Sequence, residues 1–166
     1  MPEIIKNPEE LSEIEQWIQE AEKEARKSKC LKSQVGVVIV KDGNIISKGY
    51  NKIVVTDKLF VDKEGYCNPC IREDVHNNSL VERCYAIHAE QMALINAKYD
   101  LEGSIMYHTK IKNGKRVPIE VPTCTVCNRM LKEAGVYFVC LQEEGYVKYS
   151  PEEIVNISFK KILGYL

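Results

Sequence analysis

Apolar positions along the chain alternate between two periods. Leu11, Ile14, Trp17, Ile18, Ala21 and Ala25 recur at helical spacing with charge on the opposite side, so residues 8–29 predict an amphipathic helix with Trp17 on its core face. Asn7 is placed to cap it, Pro8 suits its first position, and Glu10 completes a capping-box-like pattern. VGVVIV at 35–40 is an unbroken β-branched run, the pattern of a strand buried on both faces. KDGN at 41–44 carries an Asp-Gly turn, and IISKGYN at 45–51 reads as the returning strand. Further on, IHAEQMALINAK (87–98) predicts a second helix with a small-residue face. SIMYHTKI (104–111) predicts a strand, with VPIEV (117–121) returning from it. CNRMLKEAG (127–135) predicts a helix closed by Gly135, VYFVCLQ (136–142) a buried strand, and Ser150–Pro151 the start of a last helix. The order α-β-β-loop-α-β-α-β-α predicts one α/β domain over 1–166, a layered sheet covered on both faces.

Residues 52–84 break both periods. They are polar, and hold Cys67, Cys70 and Cys84. A connection of that length is too long for a plain linker and reads as an insert tied down by something other than apolar packing.

Composition narrows the class. Of 166 residues, 45% are hydrophobic and 28% charged, an ordinary globular balance, and the formal net charge of −1 argues against a chain held on nucleic acid or anionic lipid by bulk positive charge. Lys110, Lys112, Lys115, Arg116, Lys160 and Lys161 are a thin basic patch beside that. No apolar run is long enough to span a membrane, and MPEIIKNPEE lacks a basic, then apolar leader, so a cytoplasmic address is expected. Seven cysteines without an export signal make a poor disulfide framework. In a reducing compartment, the C-x-x-C pairs at 67/70 and 124/127 suit metal binding or redox work instead.

His88, Cys124 and Cys127 stand out as candidate ligands. Two thiolates at a helix start and one imidazole suit zinc, and three protein donors leave a fourth position for water. That open position gives Glu90 a role, because a carboxylate beside an activated water can take and return its proton. A redox role for Cys124 and Cys127 is the rival reading, and it leaves His88 and Glu90 idle. Cys67, Cys70, His76 and Cys84 have spacing workable for a second, structural zinc. Cys30 and Cys140 read as ordinary buried thiols. His108, alternating with Tyr107, reads as a surface histidine or one supporting the site from behind.

ERCYAIHAEQMALINA (82–97), followed by PTCTVCNRMLKEAGV (122–136), resembles the cytidine and deoxycytidylate deaminase superfamily, and VGVVIVKDGNIISKGYN (35–51) is similar to its first hairpin. The cysteine-bearing insert before HAE is similar to deoxycytidylate deaminases in particular. The resemblance implies a three-layer α-β-α sandwich around a mixed sheet of about five strands. It implies zinc on His88, Cys124 and Cys127, proton transfer by Glu90, and substrate contacts from Asn51 and the backbone around Ala89. It further implies a small-molecule pyrimidine nucleotide as substrate, dCMP foremost, and a homo-oligomer. Another nucleoside, a free base or a polynucleotide base is the alternative within the family. A zinc-stabilised binding module without turnover is the alternative outside it. Thr123 intervenes where the family usually has Pro directly before the first Cys, Met92 stands where Asn is usual, and KIVVTD after Asn51 lacks the Gly- and Pro-bearing segment often found there.

Overall fold

A computed structural model describes residues 2–73, 83–120, 122 and 124–165. In chain order the elements are β1 (Glu3–Ile4), α1 (Pro8–Ala25), β2 (Gln34–Lys41), β3 (Asn44–Tyr50), β4 (Lys52–Ile53), β5 (Ala86–Ile87), α2 (Ala89–Asn96), β6 (Ile105–Lys112), β7 (Lys115–Arg116), α3 (Thr125–Glu133), β8 (Tyr137–Gln142), β9 (Gly145–Tyr149) and α4 (Pro151–Ile162). The main sheet runs β1-β9-β8-β6-β2-β3, with β7 paired to β6 at one end. Its long members are β2, β3, β6, β8 and β9, and β1 and β7 add two residues each. β6 and β8 are parallel and the other neighbours antiparallel, so the sheet is mixed. The parallel pair needs a crossover, and α3 lies in it.

The β-branched run in β2 feeds two cores. Val37 and Ile39 face Ala89, Ala93, Leu131 and Ile154, which come from α2, α3 and α4. Val38 and Val40 face Ile14, Ile18 and Ala21 of α1. Each fully buried aliphatic side chain of this kind contributes on the order of 1.5–3 kcal/mol. The layers are therefore α1, sheet, then α2 with α3 and α4, as expected. No helix among the described residues is long and apolar enough to cross a membrane.

Two glycines set how closely the helices dock. A Cβ on Gly36 of β2 would meet Ala21 O at 2.1 Å and Ala25 N at 2.3 Å. On Gly49 of β3 it would meet Ala89 O at 2.2 Å and Ala93 N at 2.6 Å. Ser47 Oγ then donates to Ala93 O at 2.6 Å, pinning α2 on the sheet.

Several local expectations are met at the caps. Asn7 Oδ1 accepts from Glu9 N at 2.9 Å and Glu10 N at 3.3 Å. Ser150 and Glu153 bond reciprocally at the start of α4. The turn at Asp42–Gly43 has φ of 50 and 70°, the left-handed pair that joins hairpin strands. Others are corrected. α1 ends at Ala25 rather than 29, and α2 begins at Ala89, with Ile87 in β5. VPIEV is not a strand over its described residues: the return from β6 is only Lys115–Arg116. Pro118 has no N–H to give a ladder, and Ile119 N donates to Leu141 O instead, at 2.9 Å.

Candidate active site

Two helix starts bring the chemistry together. His88 is the residue just before α2 and Cys124 the one just before α3, both with extended backbone. His88 N donates to Gln91 Oε1 at 3.0 Å, which fixes the residue against the first turn of α2. Cys124 Sγ accepts Cys127 N at 3.3 Å, so the sulfur serves as the cap of α3. Cys127 is one turn in and fully buried. The result is a triangle: His88 Nδ1 lies 3.2 Å from Cys127 Sγ, the two sulfurs are 2.9 Å apart, and all three donor atoms fall within 4.8 Å of one another. No other set of three such donors among the described residues is drawn so close.

The protonation pattern of this triangle suits a metal. The hydrogen bond shared by the sulfurs, helped by His88, holds the Cys124 thiol well below its ordinary value. The same bond and burial push Cys127 up. The Cys124 sulfur raises His88, against burial. Metal binding takes all three donors deprotonated, so an ion would displace the protons these groups share. Two sulfurs and one imidazole nitrogen are the kind of donor set that holds zinc.

Glu90, in the first turn of α2, lines the same cavity of about 540 Å³. Its side chain is 12% exposed. Ala89 and Asn51 line it too. The Asn51 side chain is tied to backbone: Oδ1 accepts from Val35 N at 2.8 Å and Nδ2 donates to Ser33 O at 2.9 Å. One lone pair and one N–H of that amide are left for a ligand.

Lys32, Arg72, Lys110 and His108 also line the cavity, and Lys32 and Arg72 do not stand out as site residues from the sequence alone. Burial, then Lys112 and Lys32, push the Lys110 amine below its ordinary value. His108 is buried, so of its two expected places only the surface one is excluded, because β6 is central and this side of it lies under α2. Arg116 of the basic patch is already committed, at 2.8 Å to Glu15 and 2.9 Å to Glu22.

The insert is tied to the segment that follows it: its β4 pairs with β5, and Phe60 packs on Tyr85 at 5.5 Å. Val61, bridged to Cys67, is its one deeply buried apolar residue among those described. Cys67, Cys70 and Cys84 are half-buried, and His76 lies outside the described residues. Cys30 is no ordinary core thiol: it is half-buried and close enough to add to the rise of Cys67, whose thiol burial pushes up to about 11 with help from Cys70, Cys30 and Cys84. Cys140 is buried in β8 as expected.

The cytidine and deoxycytidylate deaminase zinc-binding region matches residues 11–143 of this chain. The chain belongs to that family. The matched span contains His88, Glu90, Cys124, Cys127 and the whole insert, so the converging donors of this family member lie in its zinc-binding region. A deoxycytidylate deaminase of Mycobacterium phage D29 is 28% identical over 128 residues, covering 72% of this chain and 86% of the relative. The dCMP deaminase of cyanophage S-TIM5 shares the fold. Its apo structure aligns with a TM-score of 0.50 at 24% identity, over 80% of this chain and 84% of that one. Its complex with dCMP and dUMP also gives 0.50 at 24%, over 81% and 83%.

Proposed function

We propose that this family member hydrolyses dCMP to dUMP and ammonia, with His88, Cys124 and Cys127 holding one zinc ion and Glu90 moving the protons. The observation that carries this reading is the convergence of those three donors, of which His88 and Cys124 line the cavity that Glu90 also lines. Bound zinc supplies a Lewis acid that makes water a nucleophile at neutral pH. Glu90 takes a proton as water adds to C4 of the cytosine ring and gives one to N3. It then takes the proton of the new C4 hydroxyl and passes it to the C4 amine, which leaves as ammonia as C4 becomes a carbonyl. The free lone pair and N–H of Asn51 orient the nucleotide, and the Ala89 backbone lines the wall against the base. The small span between the two helix starts holds reactant and acid–base group in one geometry, which supplies much of such a rate enhancement.

A phosphate-bearing substrate is favoured over a nucleoside by Lys32, Arg72 and Lys110 on the same cavity. An amine held down by burial and like charges gains when an anion arrives. The phage relatives, one named a deoxycytidylate deaminase and one crystallised with dCMP and dUMP, support the same choice. An ammonia-release screen over dCMP, CMP, deoxycytidine, cytidine, cytosine and single-stranded oligonucleotides tests it. The expected order puts dCMP first, with deoxycytidine at least about tenfold poorer in kcat/KM, the worth of about one charge-assisted contact. Equal rates on dCMP and deoxycytidine would contradict a phosphate subsite.

The insert has a proposed ion of its own. Cys67, Cys70 and Cys84 are read as ligands of a structural zinc, with His76 as the fourth donor and Cys30, which adds to the rise of the Cys67 thiol, as the alternative. A metal would order a segment that has so little apolar core. Cys70→Ser is expected to lower zinc by about one equivalent per chain, leave the catalytic equivalent in place, and lower the melting temperature. Unchanged stoichiometry by elemental analysis would refute the second ion.

A further inference from the structure

His108 sits where an apolar residue would be the simpler choice. It lies on β6 opposite Val37 of β2 and Cys140 of β8, and its ring packs on Phe138 at 5.3 Å. It is 7% exposed, and its Nδ1 is buried with no hydrogen-bond partner. Placing an imidazole there costs free energy unless something uses it. The other ring nitrogen faces the cavity: Nε2 is 3.9 Å from Glu90 Oε1. Glu90 in turn accepts no hydrogen bond from any described residue, although a carboxylate only 12% exposed normally finds donors.

The charge state fits this pairing. Burial holds His108 below its ordinary value, with Glu90 pulling the other way. A neutral imidazole has one N–H, and Nδ1 has no acceptor to reward carrying it. The tautomer with hydrogen on Nε2 directs its donor toward Glu90. The 3.9 Å gap exceeds a hydrogen bond by under about 1 Å, and such bonds commonly tighten only once substrate is bound.

We propose that His108 is a positioning residue for Glu90, its Nε2–H holding the carboxylate in the orientation from which the proton passes to the cytosine ring. The inference rests on the deaminase reading above. It gives a role to a strand residue that the zinc-binding motifs do not include.

The test uses zinc-loaded protein and dCMP. His108→Phe keeps an aromatic ring beside Phe138 and removes both nitrogens. His108→Gln restores a side-chain N–H at similar reach. The Phe variant should keep its zinc and a KM within about twofold of wild type while kcat falls about 10- to 100-fold. The Gln variant should recover kcat to within about threefold. In a long-range proton–nitrogen NMR spectrum without substrate, the His108 Nε2 signal should be of the protonated type and should move in Glu90→Gln. Wild-type kcat in the Phe variant overturns the proposal. So does equal loss in Phe and Gln, loss of zinc and melting temperature in step with kcat, or an Nε2 signal indifferent to Glu90→Gln. A wild type that deaminates nothing would instead defeat the deaminase reading, and the NMR arm would still decide the His108–Glu90 contact.

Discussion

Glu90→Gln is expected to lower kcat on dCMP by about 10²–10⁴-fold, the range typical of losing a general acid–base group. The substitution keeps the size and shape of the side chain and removes its charge and its ability to carry a proton. The zinc should stay. Glu90 is not one of the three converging donors, and its negative charge opposes ionisation of both Cys124 and Cys127. Removing that charge leaves the thiolates no harder to form. Metal content and melting temperature therefore stay at wild-type values while turnover collapses. Undiminished turnover would remove Glu90 from the chemistry. Loss of zinc together with activity would make it a prop for the metal rather than the proton carrier.

The second large effect comes from a residue that touches neither metal nor substrate. Gly49→Ala is expected to destabilise the fold by about 1–3 kcal/mol or more, as overpacking does, and to cut kcat about 100-fold in the molecules that remain folded. The added methyl would stand 2.2 Å from Ala89 O and 2.6 Å from Ala93 N, both backbone atoms that cannot swing aside. Ordinary contact needs α2 to move off the sheet by about 1 Å. His88 and Glu90 ride on the first turn of that helix, so they move with it. Gly36→Ala is the control. It meets backbone of α1 equally hard, on the face of the sheet opposite to His88 and Glu90. Both variants should lose melting temperature, and Gly49→Ala should lose more turnover per folded molecule. Wild-type stability and kcat in Gly49→Ala would contradict the docking described for α2.

Much of this is legible in local sequence because the signals are local. β2 and β3 follow from a β-branched run and an Asp-Gly turn. α1 follows from its spacing and its Asn7 cap. The three converging donors follow from two short motifs at helix starts. What escapes such a reading depends on distance. β9, Gly145–Tyr149, pairs with β8 across a two-residue turn, but Lys148 interrupts its apolar run and no Pro or Asn marks the corner. The tyrosines and valine at 146, 147 and 149 are the available signal. Cys30 is 37 positions before Cys67, and nothing local links them. Their proximity arises because the loop after α1 folds onto the insert, where the Lys29 ammonium meets Glu64 O and stacks over Tyr66 at 5.9 Å. Alternation leaves His108 open between the surface and a place behind the site, and the order of strands decides it by putting β6 at the centre with that face under α2.

The most direct measurement follows dCMP and zinc-loaded wild-type protein in heavy-oxygen water, with products read by mass spectrometry and an ammonia assay. The expected result is dUMP carrying one solvent oxygen at C4, with one ammonia released per dUMP. Intact dCMP after prolonged incubation with excess enzyme, with the metal still bound, would contradict the assignment.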